Sequence, residues 1–233
     1  MLATDALAIP LRGVLSAPFR VVGLRPSRMN PNTCTLCELM FKKVMKATKI
    51  TIDATILFAD LRAFTSLSLS LSAREMGGVL DIFYDECAAA IWQFDGLLNK
   101  TIGDAVMVVF NFPIRQKDHA RQAVLAAREI QRRVGARQPE FAALLGETKG
   151  EVGVGIGIDC GGLSFGEFGR SHRDLTAIGT VVNTAARAQS AAAPGEILIT
   201  EAVHDRAGTD LVGSSSNPCE LKGFDRPIVL YAA

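Results

Sequence analysis

Nothing in this chain of 233 residues stays apolar for long enough to span a bilayer. The greasiest stretch, residues 7–24, is cut by Pro10, Arg12, Pro18 and Arg20, short of the roughly 18–20 unbroken apolar residues a spanning helix needs. It reads as a loosely packed N-terminal arm, or alternatively as a segment making peripheral contact with a membrane or docking a partner. No secretory leader pattern is recognisable. An excess of either charge is missing too: 25 basic and 24 acidic side chains leave a net of +1, so no global field recruits nucleic acid or an acidic membrane. Aromatic residues are scarce at 6% and are not interleaved with basic ones as in a single-strand binder. Nucleic acid is therefore not an expected partner. Cysteine lacks a framework: the five residues 34, 37, 87, 160 and 219 are odd in number and widely spread, which points to a reducing, cytoplasmic compartment. Internal repeats and low-complexity tracts are absent. Of the three histidines, His119, His172 and His204, none lies in a motif. Structural or surface roles are expected for them, and no general base is conspicuous.

What is present is the pattern of an α/β layer fold, of a length that can bury a substantial core. The chain divides near residue 48. Residues 1–48 form an extension with a turn-rich stretch at 25–33, and 49–233 form the main unit. Residues 50–60 read as a buried strand. Residues 72–94 carry Met76, Val79, Leu80, Phe83, Cys87 and Ile91 at helical spacing, with Ser72 as N-cap. A hairpin is expected over 97–101 and 105–111, its turn permitted by Gly103. A long helical region follows from Asp118 to Leu145, broken near Gly135 or Pro139. Residues 151–159 alternate glycine with Val or Ile, as in a strand with a close neighbour. Strands are then expected at 175–178, 197–200, 220–222 and 228–231, with a helix from Thr180 to Ala193. The sum is a mixed sheet with helices packed on it.

Two carboxylates stand out. Asp60 ends the apolar run Ile56-Leu57-Phe58-Ala59, and Asp104 closes Lys100-Thr101-Ile102-Gly103 before another apolar run. An unpaired buried charge is strongly disfavoured, so two carboxylates at strand ends suggest one shared site for a hard cation such as Mg²⁺ or Mn²⁺. On the helix from Thr180, Asn183 and Arg187 lie four positions apart and project from one face. In isolation, such a pair is ordinary solvated polarity. It gains meaning beside the two aspartates and the lysines.

The segments Phe58-Ala59-Asp60-Leu61-Arg62-Ala63-Phe64-Thr65, Lys100-Thr101-Ile102-Gly103-Asp104-Ala105 and Thr176-Ala177-Ile178-Gly179-Thr180-Val181-Val182-Asn183-Thr184-Ala185-Ala186-Arg187, with the closing Leu221-Lys222-Gly223, resemble the catalytic domain of class III nucleotidyl cyclases in order and spacing. The resemblance covers roughly residues 50–232. It implies a palm-like, ferredoxin-related α+β sheet and an adenylate cyclase that makes 3′,5′-cyclic AMP and pyrophosphate from ATP. Asp60 and Asp104, with the Leu61 carbonyl, would hold two Mg²⁺ or Mn²⁺ ions. Backbone N–H groups around Ala63, Phe64 and Thr65 would face the outer phosphates. Lys100 and Thr176 would read adenine, Asn183 would orient the ribose, Arg187 would stabilise the transition state and Lys222 would bind the terminal phosphates. The Lys-plus-Thr pair resembles a bacterial adenylate cyclase subgroup, since lysine can donate to adenine N1 and a threonine hydroxyl can accept from the 6-amino group. Family geometry also implies a head-to-tail homodimer with two shared sites. The chain departs from the pattern at Ala63, where many members have glycine, and at Gly162, where some have arginine.

Competing readings remain. A guanylate cyclase is one, and a cyclase-like nucleotide-binding regulatory module is another. A diguanylate cyclase lacks its G-G-[DE]-[DE]-F signature here. Cys34-x-x-Cys37 is a lone pair where structural zinc normally takes four ligands. It reads as incidental thiols, with a Cys₄ site across a dimer or a redox switch as alternatives.

Overall fold

Strand β1, Ile50–Leu61, forms where the sequence offers a long apolar run. Both of its faces are covered: Ala54, Ile56 and Phe58 join one buried cluster and Leu57, Ala59 and Leu61 the other. A strand buried on both sides shows this near-continuous hydrophobicity instead of alternation. The computed structural model describes residues 21, 25–27, 30–62, 71–146, 151–169, 171, 173–208, 211, 216–220, 223 and 226–233.

The described strands are β1, β2 (Leu97–Ile102), β3 (Ala105–Phe110), β4 (Val154–Phe168), β5 (Asp174–Ile178), β6 (Ile197–Thr200), β7 (Ser216–Cys219) and β8 (Ile228–Ala232). They form an eight-stranded sheet in the order β2-β3-β1-β4-β6-β8-β7, with β5 paired to the far half of β4. The β4–β6 pair is parallel and the others antiparallel. Helices cover both faces, as a mixed sheet requires. One face carries α2 (Ala73–Gln93), α3 (His119–Ala136), α4 (Gln138–Leu145) and α6 (Glu201–Ala207). The other carries α1 (Thr35–Ala47) and α5 (Thr180–Ala191), seated through Met45, Val181 and Ala185. The expected mixed α/β architecture is present. Among the described residues no helix is long and apolar enough to cross a membrane. The apolar arm at 7–24 lies outside them, apart from Val21.

Local chemistry accounts for most element ends. Ser72 caps α2 with a capping box, its hydroxyl accepting from the Glu75 amide while the Glu75 carboxylate accepts from the Ser72 amide. The long helical region breaks at Arg137, ahead of Pro139, into α3 and α4. Gly103, at φ +61°, opens the two-residue turn between β2 and β3.

Three expectations need correction. No helix was anticipated before residue 48, yet α1 occupies 35–47 and packs by Phe41 on Phe112, ring centroids 5.3 Å apart. β4 continues nine residues past 159, through Gly161 and Gly162, because its far half gains β5 as a partner. A strand not expected runs over Ser216–Cys219; of the strand expected at 220–222, Glu220 is not in a strand and 221–222 are outside the described residues. β7 is an end strand carrying Pro218, so it lacks the alternating apolar signal of a central strand.

Candidate active site

Register places the two aspartates together. Asp60 on β1 sits opposite Ala105 on β3, and Asp104 immediately precedes Ala105. The Leu61 amide donates to the Asp104 carbonyl at 3.2 Å, which locks the β2–β3 turn beside the end of β1. The Tyr84 hydroxyl on α2 donates to the Gly103 carbonyl on the same turn. Leu61 buries its side chain, so only its backbone oxygen remains as a donor atom for a cation.

Asp60 has the parity of Ile56 and Phe58, and therefore faces α5. There Gln189, itself 7% exposed, donates its Nε2 hydrogen to Asp60 Oδ2 at 2.9 Å. Arg62 Nη1 lies 3.6 Å from the same oxygen, and Arg62 Nη2 donates to the Gln189 carbonyl. Burial raises the Asp60 carboxyl above its usual pKa, the negative charge of Asp104 adds to the rise, and Arg62 and the Gln189 amide oppose it. A divalent cation between the carboxylates would relieve both of the raising effects. Among the described residues no group of three or more His, Cys, Asp or Glu could hold a metal. Two neighbouring carboxylates, with the charge of Asp104 raising the cost of ionising Asp60, nevertheless fit Mg²⁺ or Mn²⁺, which are commonly held by one or two carboxylates plus substrate phosphates and water.

Glycines on β4 make this corner possible. A Cβ on Gly157 would stand 2.0 Å from the Gln189 nitrogen and 2.4 Å from the Ala185 oxygen, so α5 lies directly on the strand. A Cβ on Gly155 would stand 2.0 Å from Arg62 Nε, in the space the guanidinium fills. The expected close neighbour of residues 151–159 is therefore α5 together with Arg62.

Lys100 and Thr176 are linked through their strands, with the Asn99 side chain donating to the Leu175 carbonyl at 3.1 Å. Lys100 on β2 makes a direct ion pair with Asp174 on β5. Asp174 lies two residues before Thr176 and so on the same side of the strand. Asn183 and Arg187 are exposed on α5. Lys222, Ala63, Phe64, Thr65 and His172 lie outside the described residues.

Sequence reasoning assigned no role to Gln189, Arg62 or Asp174. Nothing local marks Gln189, whose partner is 129 positions away. Asp174 could have been found from the two-residue period of a strand beside Thr176. His119, expected to be structural, is buried and shares a 2.6 Å hydrogen bond with the Thr55 hydroxyl.

Comparison with known proteins identifies the family and the fold. The chain matches the family described as Adenylate and Guanylate cyclase catalytic domain over residues 46–232. It is 33% identical over 187 residues to an adenylate cyclase of Anabaena cylindrica, covering 76% of this chain and 36% of that one. The solved adenylyl cyclase CyaB from P. aeruginosa superposes with a TM-score of 0.73 at 28% identity, over 79% of this chain and 95% of the other. The guanylyl cyclase Cya2 superposes with a TM-score of 0.72 at 29% identity, over 78% and 92%. The family match and the shared fold thus define a nucleotidyl cyclase domain of class III. This chain belongs to the adenylate and guanylate cyclase catalytic domain family. It spans less than half the length of the curated relatives it matches, 44% and 36% in two cases.

Proposed function

We propose that the protein is an adenylate cyclase of the bacterial type with a Lys/Thr base-reading pair. In this reading it converts ATP to 3′,5′-cyclic AMP and pyrophosphate in a head-to-tail homodimer with two shared sites. Residues 49–233 form the catalytic unit and 1–48 a preceding extension, in the cytoplasm. The observation that carries the shared-site reading is the geometry of α5. Gln189 points inward to Asp60, and Arg187, two residues earlier, points about 200° away around the helix. Asn183, six residues earlier, is rotated by about 240°. Neither side chain is aimed at the Asp60 of its own chain, whereas both are exposed to a second copy.

The residue roles follow from charge and reach. Asp60 and Asp104, with the Leu61 carbonyl, would hold two Mg²⁺ or Mn²⁺ ions. Bound there, these ions would activate the ribose 3′-hydroxyl and neutralise phosphate charge. Gln189 and Arg62 hold the Asp60 carboxylate in place. Backbone amides near Ala63, Phe64 and Thr65 and the ammonium of Lys222 would bind the outer phosphates. Asn183 would orient the ribose so that its 3′-oxygen is in line with the α-phosphorus. Arg187 would present paired donors to the α-phosphate oxygens, which a lysine cannot reproduce. Lys100 would donate to adenine N1, and the Thr176 hydroxyl would accept from the 6-amino group.

The ion pair of Lys100 with Asp174 favours a second reading, guanylate cyclase. A carboxylate beside the base could accept from the N1 and 2-amino hydrogens of guanine. One assay separates the readings: purified protein with Mn²⁺ and either ATP or GTP, with cyclic product resolved by chromatography. Predominant cyclic AMP is expected. Predominant cyclic GTP would transfer the assignment to the second reading, and no product from either would leave a nucleotide-binding regulatory module.

A further inference from the structure

Cys34 and Cys37 play no part in the chemistry above, yet they are not incidental neighbours. Cys34 is the N-cap of α1, with its Sγ accepting from the Cys37 amide at 3.3 Å. The two sulfurs share a hydrogen bond at 3.1 Å, and both are free thiols. Cys34 is held from both sides: Pro26 bridges to it, and the Thr35 amide donates to the Arg25 carbonyl at 2.9 Å. It is 6% exposed, while Cys37 is exposed and lines a cavity of about 520 Å³ with Met40, Phe41, Leu97 and Phe112. That volume lies in the range of small-ligand pockets.

We propose that Cys34 and Cys37 form a redox-active dithiol that exchanges with a small disulfide of the glutathione class. The order follows from access. Cys37 loses its proton and attacks one sulfur of the incoming disulfide; a Cys37–S–S–R bond forms, the original S–S bond breaks and one thiol leaves. Cys34 then attacks the Cys37 sulfur, which breaks the mixed disulfide, releases the second thiol and closes a Cys34–Cys37 bond. The protein loses two electrons and two protons, and the small disulfide gains them.

Access, and not acidity, makes Cys37 the point of entry. Burial pushes the Cys34 thiol up, but hydrogen bonds from Cys37 and the amides of the helix start outweigh it, and its pKa falls below the usual thiol value. Cys34 is thus the sulfur that more readily carries the charge needed for the resolving step. The hydrogen bond to Cys34 and burial raise Cys37. Cys87 and Cys160 are poor competitors, since burial holds Cys87 well up and pushes Cys160 to about 12. This site is independent of the nucleotide reading, because its readout is a thiol count and not cyclase activity.

The test treats the full chain with oxidised glutathione, alkylates the remaining thiols and locates the products by mass spectrometry. Loss of two of the five thiols as one Cys34–Cys37 bond, reversed by excess reduced glutathione, is expected. Cys34→Ser keeps a good N-cap residue and should accumulate a stable glutathione adduct on Cys37. Cys37→Ser should leave Cys34 unmodified under the same treatment. Persistence of both thiols in the unsubstituted protein, a lasting Cys37 adduct there, or equally rapid modification of Cys34 in Cys37→Ser would each overturn the proposal. Stoichiometric zinc that blocks exchange until chelated would overturn it as well.

Discussion

Asp60 is fixed by its own chain, through strand register to Ala105, an amide hydrogen bond from Gln189 and the nearby Arg62 guanidinium. Arg187 and Asn183, on the outward flank of the helix that carries Gln189, are exposed. The acidic corner is thus built by long-range contacts within one protomer, while the cationic and amide groups wait on a surface. Carboxylates that share a cation must keep a set separation despite their repulsion, and paired strands impose it. Groups that meet the nucleotide from the other side need only be presented by a rigid helix, if a second copy brings them. On this view the α5–β4 contact serves both: its inner flank steadies Asp60 and its outer flank aims Arg187.

The sharpest way to break that contrast is to disable each side in separate molecules. Asp60→Ala removes a carboxylate proposed to hold the metal and should reduce cyclic nucleotide formation to background. Arg187→Ala should cost on the order of 10²–10³ in kcat, about 3–4 kcal/mol, by analogy with lost oxyanion donors. Mixed dimers of the two variants would contain one site with both defects and one with neither, so partial activity should return on mixing. Mixed dimers that stay silent, verified by differential tagging, would sink the shared-site reading.

Next in size is the contact between strand and helix. In Gly157→Ala the added carbon would fall 2.0 Å from the Gln189 nitrogen, against backbone that cannot swing aside. The expected loss is about 3 kcal/mol of unfolding free energy by urea titration, at the upper end of overpacking costs. Gly162→Ala is the control: nothing lies within 4 Å of its Cβ position, so its midpoint should barely move. Equal midpoints for the two variants would mean that α5 does not rest on β4 as described.

A smaller effect separates holding the metal from holding the fold. Gln189→Leu keeps the volume but loses the hydrogen bond to Asp60. Partners that orient metal-binding carboxylates are typically worth 10–100-fold in metal affinity, so the Mn²⁺ concentration for half-maximal activity should rise about tenfold. An unchanged metal requirement with a lowered kcat would show that Gln189 acts otherwise.

The same contrast explains what could be read from the chain in advance. β1, the β2–β3 hairpin and α2 were legible because period and turn chemistry agree at Ser72, Gly103 and the apolar runs. The proximity of Asp60 and Asp104 was legible because a charge at the end of a buried strand is anomalous. α1 was not, since its cap is a cysteine, outside the usual capping set, and its seat on Phe112 and Phe165 is made by residues far along the chain. Gln189 was invisible for the same reason. A polar residue on a helix announces nothing until the strand beneath it is known, and glycines at 155 and 157 reported only that something comes close.

The smallest expected effect tests the opposite end of β1, away from the carboxylate pair. His119 is buried against Thr55, its Nε2 3.7 Å from Asp53, which also takes two 3.0 Å bonds from Arg206. Burial lowers the His119 pKa below its usual value, and Arg206 acts in the same direction; Asp53 and Asp118 oppose them. The folded state therefore binds this proton less readily than the unfolded state. Stability should fall as pH drops through the ordinary histidine value of about 6.5 toward the depressed folded pKa, and level off below it. His119→Gln can still bond to Thr55 but does not titrate, so its melting temperature should decline less over that interval. The difference is limited to about 1.4 kcal/mol for each pKa unit of depression. Parallel melting curves for the two proteins from neutral to mildly acidic pH would show that His119 is not held neutral by its surroundings. Because this network lies away from Asp60 and Asp104, the metal requirement of the variant should stay that of the parent, which keeps the two ends of β1 experimentally separate.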